Sequence, residues 1–102
     1  MKQEDPKKLA QATRLFAQVL KHNLHRGNIE DKGLVSDFYN LGSAYFQRRN
    51  YEKAKPLLER AYYLYLINQH QFQPKTTKYL DRLNEARKAL EQKKLEQEKT
   101  EA

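Results

Sequence analysis

The reactive side chains of this sequence are few, and they form no catalytic motif. His22 and His25 lie three residues apart and would share one face of a helix, a spacing that two metal ligands can use. A zinc site normally needs three or four ligands, and no carboxylate or third ligand stands near this pair. The sequence has no cysteine, no glycine-rich phosphate loop and no nucleophile motif around its serines and aspartates. We therefore predict no enzymatic activity, no cofactor and no metal.

Net charge is the first property that bears on function. The chain has 20 Lys and Arg residues against 13 Asp and Glu residues, which gives a formal net charge of +7. The excess lies within residues 1–90, because residues 91–102 contain four glutamates and only three lysines. This balance favours an acidic partner: a peptide, a nucleic acid or a lipid surface. Nucleic-acid binding is supported by the basic and aromatic content, although no helix-turn-helix or other reading motif is present.

Four segments carry apolar residues at helical spacing, and the chain has only 3 Gly and 3 Pro residues. Asp5-Pro6 is typical of a helix start, and Gly27 is typical of a residue just beyond a helix end. We expect a first helix over residues 6–25. The longest apolar stretch, residues 61–67, is far too short to span a membrane, so we expect a soluble, cytoplasmic protein.

Three further helices are expected. The second ends around Arg48-Arg49-Asn50, where Asn50 suits the left-handed conformation that closes many helices. The third begins near Tyr51, and Pro74 opens the fourth. Beyond residue 90 the apolar pattern thins while helix propensity stays high. We predict an all-α domain over residues 1–90, followed by a charged, solvated helical extension over residues 91–102.

The sequence contains an internal repeat. A shift of 42 residues aligns the first helix with the third and the second with the fourth. The aligned pairs are Ala12 with Ala54, Leu15 with Leu57, Phe16 with Leu58, Val19 with Ala61, Phe38 with Leu80, Leu41 with Leu83 and Ala44 with Ala86. The chain therefore alternates helices of two kinds, which we call B and A, in the order B, A, B, A.

The segment Phe38-Tyr-Asn-Leu-Gly-Ser-Ala-Tyr45, followed by Ala54, Leu58 and Ala61, resembles the tetratricopeptide repeat family. The proline in the segment 50–61 and the long period are similar to those of kinesin light chains. The resemblance implies a short right-handed solenoid of antiparallel helical hairpins, with one full repeat over about residues 35–68 and a half-repeat on each side. In such an interface Gly42 allows close approach of the facing helix.

The family binds proteins, and its A helices line a groove that receives an extended peptide. The resemblance implies a groove here formed by Tyr39, Asn40, Ser43, Gln47, Lys78 and Arg82. Asn40, Lys78 and Arg82 match positions that hold a C-terminal carboxylate in chaperone-binding members. An amide can bond a peptide backbone, and a Lys–Arg pair gives charge-assisted donors to a carboxylate. We expect a protein-interaction adaptor that binds a peptide or partner protein through this groove or through exposed helix faces.

Other surfaces are also open to partners. The residues concerned are the basic Arg48 and Arg49, the aromatic Tyr62 and Tyr63, and Leu15 and Leu20 on the outer side of the first helix. At least one tyrosine of residues 62–65 should lie at the surface or against another element, because helical spacing cannot bury all three on one side. A short array without a first A helix implies self-association, a partner, or a longer protein. A structural subunit that stacks into homo-oligomers is therefore a further alternative.

Overall fold

Most of the chain that the structure describes is helical. The computed structural model describes residues 5–25, 32–72 and 74–101. These residues contain no strand and form four α-helices, α1 (Pro6–His25), α2 (Lys32–Gln47), α3 (Tyr51–Ile67) and α4 (Lys78–Glu101). The predicted all-α class with four helices is confirmed. Gly27, the expected end of the first helix, lies outside the described residues.

Helix α2 lies at the centre of the packing. It packs against α1 and α3, and α3 packs in turn against α4. Only three residues connect α2 to α3, so these two helices form a helical hairpin. The core between the helices is built from side chains at helical spacing, and its members include Leu20, Leu34, Val35, Phe38, Leu41, Ala61, Leu64 and Tyr65.

Helices α2 and α3 approach each other closely at Gly42. A Cβ atom added at Gly42 would stand 2.8 Å from Cγ and 2.9 Å from Cδ2 of Leu58. The Leu58 side chain is 0% exposed, so a Cβ at position 42 would force a shift inside the core. This geometry agrees with the expected role of Gly42 in the hairpin interface.

The turn between α2 and α3 differs from the sequence expectation in one residue. Arg49, and not Asn50, adopts the left-handed conformation, with φ 61°. The Arg49 amide donates to the Phe46 carbonyl at 2.9 Å, and the Asn50 amide donates to the Tyr45 carbonyl at 2.9 Å, which is the Schellman pattern. Asn50 instead caps α3, because its side-chain oxygen accepts from the Lys53 amide at 3.4 Å.

Helix α4 begins at Lys78 and not at Pro74, so the expected start was wrong by four residues. The segment before the helix is held in another conformation by side chains. The Thr76 amide donates to the Tyr65 hydroxyl at 3.0 Å, and the Thr76 hydroxyl accepts from the Lys78 amide at 3.1 Å. The first helical bond runs from the Asp81 amide to the Thr77 carbonyl at 2.8 Å. Pro74 had suggested an earlier start for α4, but these hydrogen bonds place the start of the helix at Lys78.

Helix α4 continues past residue 90 without a break. The Lys93 ammonium donates to the Glu52 carboxylate at 2.9 Å, and Arg87 lies 3.7 Å from the Glu59 carboxylate, so two cations of α4 pair with α3. The hydrogen bond from Lys93 lowers the pKa of the Glu52 carboxyl group. The side chains of residues 94–99 are exposed. The domain boundary between residues 90 and 91 stays a prediction.

Candidate protein-binding face

One face of the molecule brings α2 and α4 together through cations and aromatic rings. The Lys78 ammonium lies 5.1 Å from the centre of the Tyr39 ring, and the Arg82 guanidinium lies 5.1 Å from the centre of the Phe46 ring. Distances of this size correspond to cation–π contacts. We call the surface formed by Tyr39, Ser43, Phe46, Lys78 and Arg82 the α2–α4 face.

Helical spacing explains why these side chains meet. Tyr39, Ser43 and Phe46 follow one another at intervals of four and three residues, so they lie on the same side of α2. Lys78 and Arg82 are four residues apart and form one row on α4. Each cation of α4 therefore lies over one ring of α2.

The Ser43 hydroxyl lies between the two rings along α2. Among the described residues, its oxygen is the one buried side-chain polar atom with no hydrogen-bond partner. A helical serine commonly donates back to the carbonyl four residues earlier, but this one does not. Because the Ser43 oxygen is buried, its unpartnered hydroxyl costs free energy in the folded state.

The cations of the α2–α4 face can still donate hydrogen bonds to a ligand. Arg82 has an ion pair with Glu85 at 3.9 Å, which is a long contact within one helix, and the Arg82 side chain stays 28% exposed. A guanidinium has five N–H donors, and a single long contact leaves most of them available. Asn40 and Gln47, the other two predicted groove residues, are exposed on α2.

The structure thus brings four of the six predicted groove residues together, namely Tyr39, Ser43, Lys78 and Arg82. Two members of the neighbourhood were missed by sequence reasoning. Phe46 lies three residues after Ser43, and this interval was the signal that would have found it. Tyr79 contacts the ring of Tyr39 edge-on at 5.2 Å and lies 5.3 Å from the Lys78 ammonium.

A cluster of buried aromatic rings supports this face from below. Tyr79 is 4% exposed and also lies 5.1 Å from the ring of Tyr65, which in turn contacts Phe72 at 4.9 Å. Edge-on and tilted ring pairs at these distances add stability beyond their buried area. The start of α4 is therefore fixed against the end of α3, and this positions Lys78 over Tyr39.

Burial raises the pKa of the Tyr79 hydroxyl above its usual value, and this predicts a loss of stability in alkali. An unfolded tyrosine ionises near pH ~10, whereas the folded state keeps Tyr79 protonated, so rising pH favours unfolding. We expect Tyr79→Phe to reduce the fall in melting temperature between about pH 9 and 11. Thermal melts of Tyr63→Phe, a change at an exposed tyrosine, give the control and should match wild type. An unchanged alkaline fall in Tyr79→Phe would contradict this assignment.

The secondary surfaces are distributed over three places. Arg48 and Arg49 are exposed at the α2–α3 turn, and the Arg48 guanidinium lies 5.9 Å from the ring of Tyr45. Tyr62 is half-buried while Tyr63 is 57% exposed, which confirms that one tyrosine of this segment faces the surface.

Leu15 and Leu20 do not share a surface, so this part of the prediction was wrong. Leu15 is 60% exposed, but Leu20 is 6% exposed and belongs to the core. The two residues are five positions apart, which rotates them by about 140° around a helix with ~3.6 residues per turn. Leu15 stays available to a partner and Leu20 does not.

His22 and His25 are both exposed on α1. Within the described ranges, no three His, Cys, Asp or Glu side chains stand together as metal ligands would. No helix in those ranges is both long and apolar enough to cross a membrane.

Comparison with protein-family models, with curated protein sequences and with solved structures gives no match for this chain. We therefore infer the function from the contacts of the α2–α4 face and from the net charge of the chain.

Proposed function

We propose that this protein is an interaction adaptor that binds an extended segment of another protein across the α2–α4 face. The observation that carries the proposal is the pair of α4 cations, Lys78 and Arg82, each held over an aromatic ring of α2. Cations fixed in this way lose less side-chain entropy on binding than mobile surface lysines do. The face therefore offers positive charge and ring surface in one place.

The chemistry of the face favours a ligand with a carboxylate. Lys78 and Arg82 donate charge-assisted hydrogen bonds, and the planar guanidinium can hold a carboxylate by two parallel bonds. The exposed amide of Asn40 can bond the backbone of the same segment. A C-terminal carboxylate or an acidic side chain of the partner would meet these donors.

We further propose that the four helices form a short tetratricopeptide-like right-handed solenoid of a cytoplasmic protein. In this arrangement α2 and α4 are the A helices and α1 and α3 the B helices. Two contacts support it: α3 packs against both α2 and α4, and Gly42 meets Leu58 at the hairpin interface. The α2–α4 face then corresponds to the groove of the repeat family.

Nucleic-acid binding is the second proposal, and the net charge of +7 favours it. Four of the eleven aromatic residues, Phe38, Tyr65, Phe72 and Tyr79, are buried and cannot stack with bases. Tyr63 is exposed and Tyr39 and Phe46 are half-buried, so some ring surface stays open to a base. A salt series separates the two functions. Binding of a nucleic acid should fall steeply and linearly with the logarithm of salt concentration, in proportion to the number of phosphates contacted.

Selection from a display library of short random peptides with free C-termini tests the adaptor function. We expect enriched peptides with a C-terminal or acidic carboxylate, and we expect the synthetic peptide acid to bind more tightly than its C-terminal amide. Each charge-assisted hydrogen bond lost should weaken binding by about tenfold or more. A selection that enriches no peptide, together with tight and salt-sensitive binding of single-stranded RNA, would favour the nucleic-acid function instead.

A further inference from the structure

A second surface of this molecule lies on the outer side of α1, away from the α2–α4 face. Leu15 is 60% exposed and Val19 is 48% exposed. Together with Ala12 they follow a spacing of three and four residues, which is the spacing of a helix–helix seam. Ala12 is half-buried, and no described element of the chain covers Leu15 or Val19. We call Ala12, Leu15 and Val19 the α1 stripe.

The internal repeat shows what kind of element fits the α1 stripe. The same positions in α3, one repeat of 42 residues later, are Ala54, Leu57 and Ala61. Ala54 and Ala61 are 0% exposed, and Leu57 packs against the core where α2 crosses α3. Helices α1 and α3 also end one repeat apart, at His25 and Ile67. In α3 this stripe is covered by α2 and α4, whereas in α1 Leu15 and Val19 are exposed and Ala12 is half-buried.

The charge of α1 decides the chemistry of the helix that would cover it. Over Pro6–His25 the helix has four Lys or Arg residues, Lys7, Lys8, Arg14 and Lys21, and no Asp or Glu. Lys8 lies seven residues before Leu15 and so extends the row of the stripe, and its side chain is exposed. A covering helix with carboxylates beside its apolar side chains would meet opposite charge along α1.

A second copy of this chain is a poor match for the stripe. Pairing of α1 with α1 of another copy would place four cations opposite four cations. Helix α4 of another copy carries seven basic and six acidic residues, so it offers no net negative charge. Its residue equivalent to Gly42 is Asn84, whose side chain would oppose the close approach seen between α2 and α3.

We infer that the α1 stripe binds an amphipathic helix of another protein, with an apolar seam flanked by Glu or Asp. The contact would reproduce the packing that α2 makes on Leu57 and Ala61 of α3, with the partner helix in the place of α2. This surface is separate from the α2–α4 face, so the adaptor would hold an extended segment at one site and a helix at another.

Two synthetic peptides of about three heptads test this inference, because they share one apolar seam and differ only in their flanking residues. One has Glu at the flanks and the other has Lys. We expect the wild-type protein to bind the Glu peptide at least about tenfold more tightly than the Lys peptide by fluorescence anisotropy. Leu15→Gln/Val19→Gln should weaken binding of the Glu peptide by about tenfold or more. Equal binding of both peptides would overturn the inference.

Matched variants make the outcome specific. Tyr63→Gln/Ile67→Gln changes an exposed pair with the same four-residue spacing on α3, at 57% and 58% exposure, and should leave binding unchanged. Lys8→Glu/Arg14→Glu/Lys21→Glu alters only exposed residues, so it should fold normally and prefer the Lys peptide. Lys78→Glu/Arg82→Glu should leave binding of the Glu peptide unchanged, which separates this site from the α2–α4 face. If Tyr63→Gln/Ile67→Gln weakened binding of the Glu peptide as much as Leu15→Gln/Val19→Gln does, the inference would be overturned. It would also be overturned if the protein formed a concentration-dependent dimer that Leu15→Gln/Val19→Gln abolishes.

Discussion

Replacement of Leu58 by alanine should lower the free energy of unfolding by about 2–5 kcal/mol, which is the usual cost of removing a fully buried leucine side chain. Leu58 is 0% exposed, packs with Leu83 and Ala86 of α4 and meets Gly42 of α2. Its loss therefore leaves a cavity at the point where three helices meet. A domain of this size has only about 5–15 kcal/mol of stability in total, so the melting temperature should fall steeply.

Leu66→Ala is the matched control, because Leu66 lies on the same helix and is 40% exposed. Urea denaturation, followed by circular dichroism, should show that the free energy of unfolding of this variant falls by about 0.5–1 kcal/mol or less, as expected for a surface substitution. Similar losses for Leu58→Ala and Leu66→Ala would mean that α3 does not lie between α2 and α4 as the structure has it.

Reversal of the two cations in Lys78→Glu/Arg82→Glu should abolish binding of a carboxylate peptide selected on the wild-type protein. Each hydrogen bond to a charged group contributes about 1.5–3 kcal/mol, so losing both predicts a decrease in affinity of more than about 100-fold. The new glutamates would also repel the carboxylate. Isothermal titration calorimetry with the peptide acid measures this loss.

Lys88→Glu/Lys99→Glu makes the same change in net charge at two exposed positions of α4. If the effect depends on the α2–α4 face, this control should bind within about threefold of wild type, because exposed charges more than a Debye length from a ligand are largely screened. An equal loss in both variants would show that binding depends on total charge and not on this face. Circular dichroism spectra and melts of both variants confirm that each remains folded.

Much of the fold could be predicted from the sequence because the local signals agree with the packing. The first helix was expected over residues 6–25, and α1 spans Pro6–His25. Its apolar stripe and Asp5-Pro6 at its start are both local features, and the Lys7 amide donates to the Asp5 side chain at 2.9 Å. The start of α4 depended instead on a contact between distant segments, from the Tyr65 hydroxyl to the Thr76 amide. No local pattern contains that contact.

The candidate face was predicted only in part, for a similar reason. Repeat alignment placed Tyr39, Ser43, Lys78 and Arg82 on A helices, and the structure brings these residues together. The repeat alignment gave no weight to Phe46 or Tyr79, because neither belongs to the pattern of groove positions. Tyr79, and not its neighbour Leu80, is the buried side chain at the start of α4, where it meets the rings of Tyr65 and Phe72. The register of that helix follows from ring packing with a distant segment.

Mapping of amide chemical shifts by NMR tests the central claim most directly. The wild-type protein, labelled with nitrogen-15, is titrated with a carboxylate peptide selected on it. The proposal predicts that the largest shifts fall on Tyr39, Ser43 and Phe46 of α2 and on Lys78 and Arg82 of α4, and that Lys78→Glu/Arg82→Glu removes them. Shifts confined to the α1 stripe or to the Arg48–Arg49 turn, with the α2–α4 face unchanged, would contradict it.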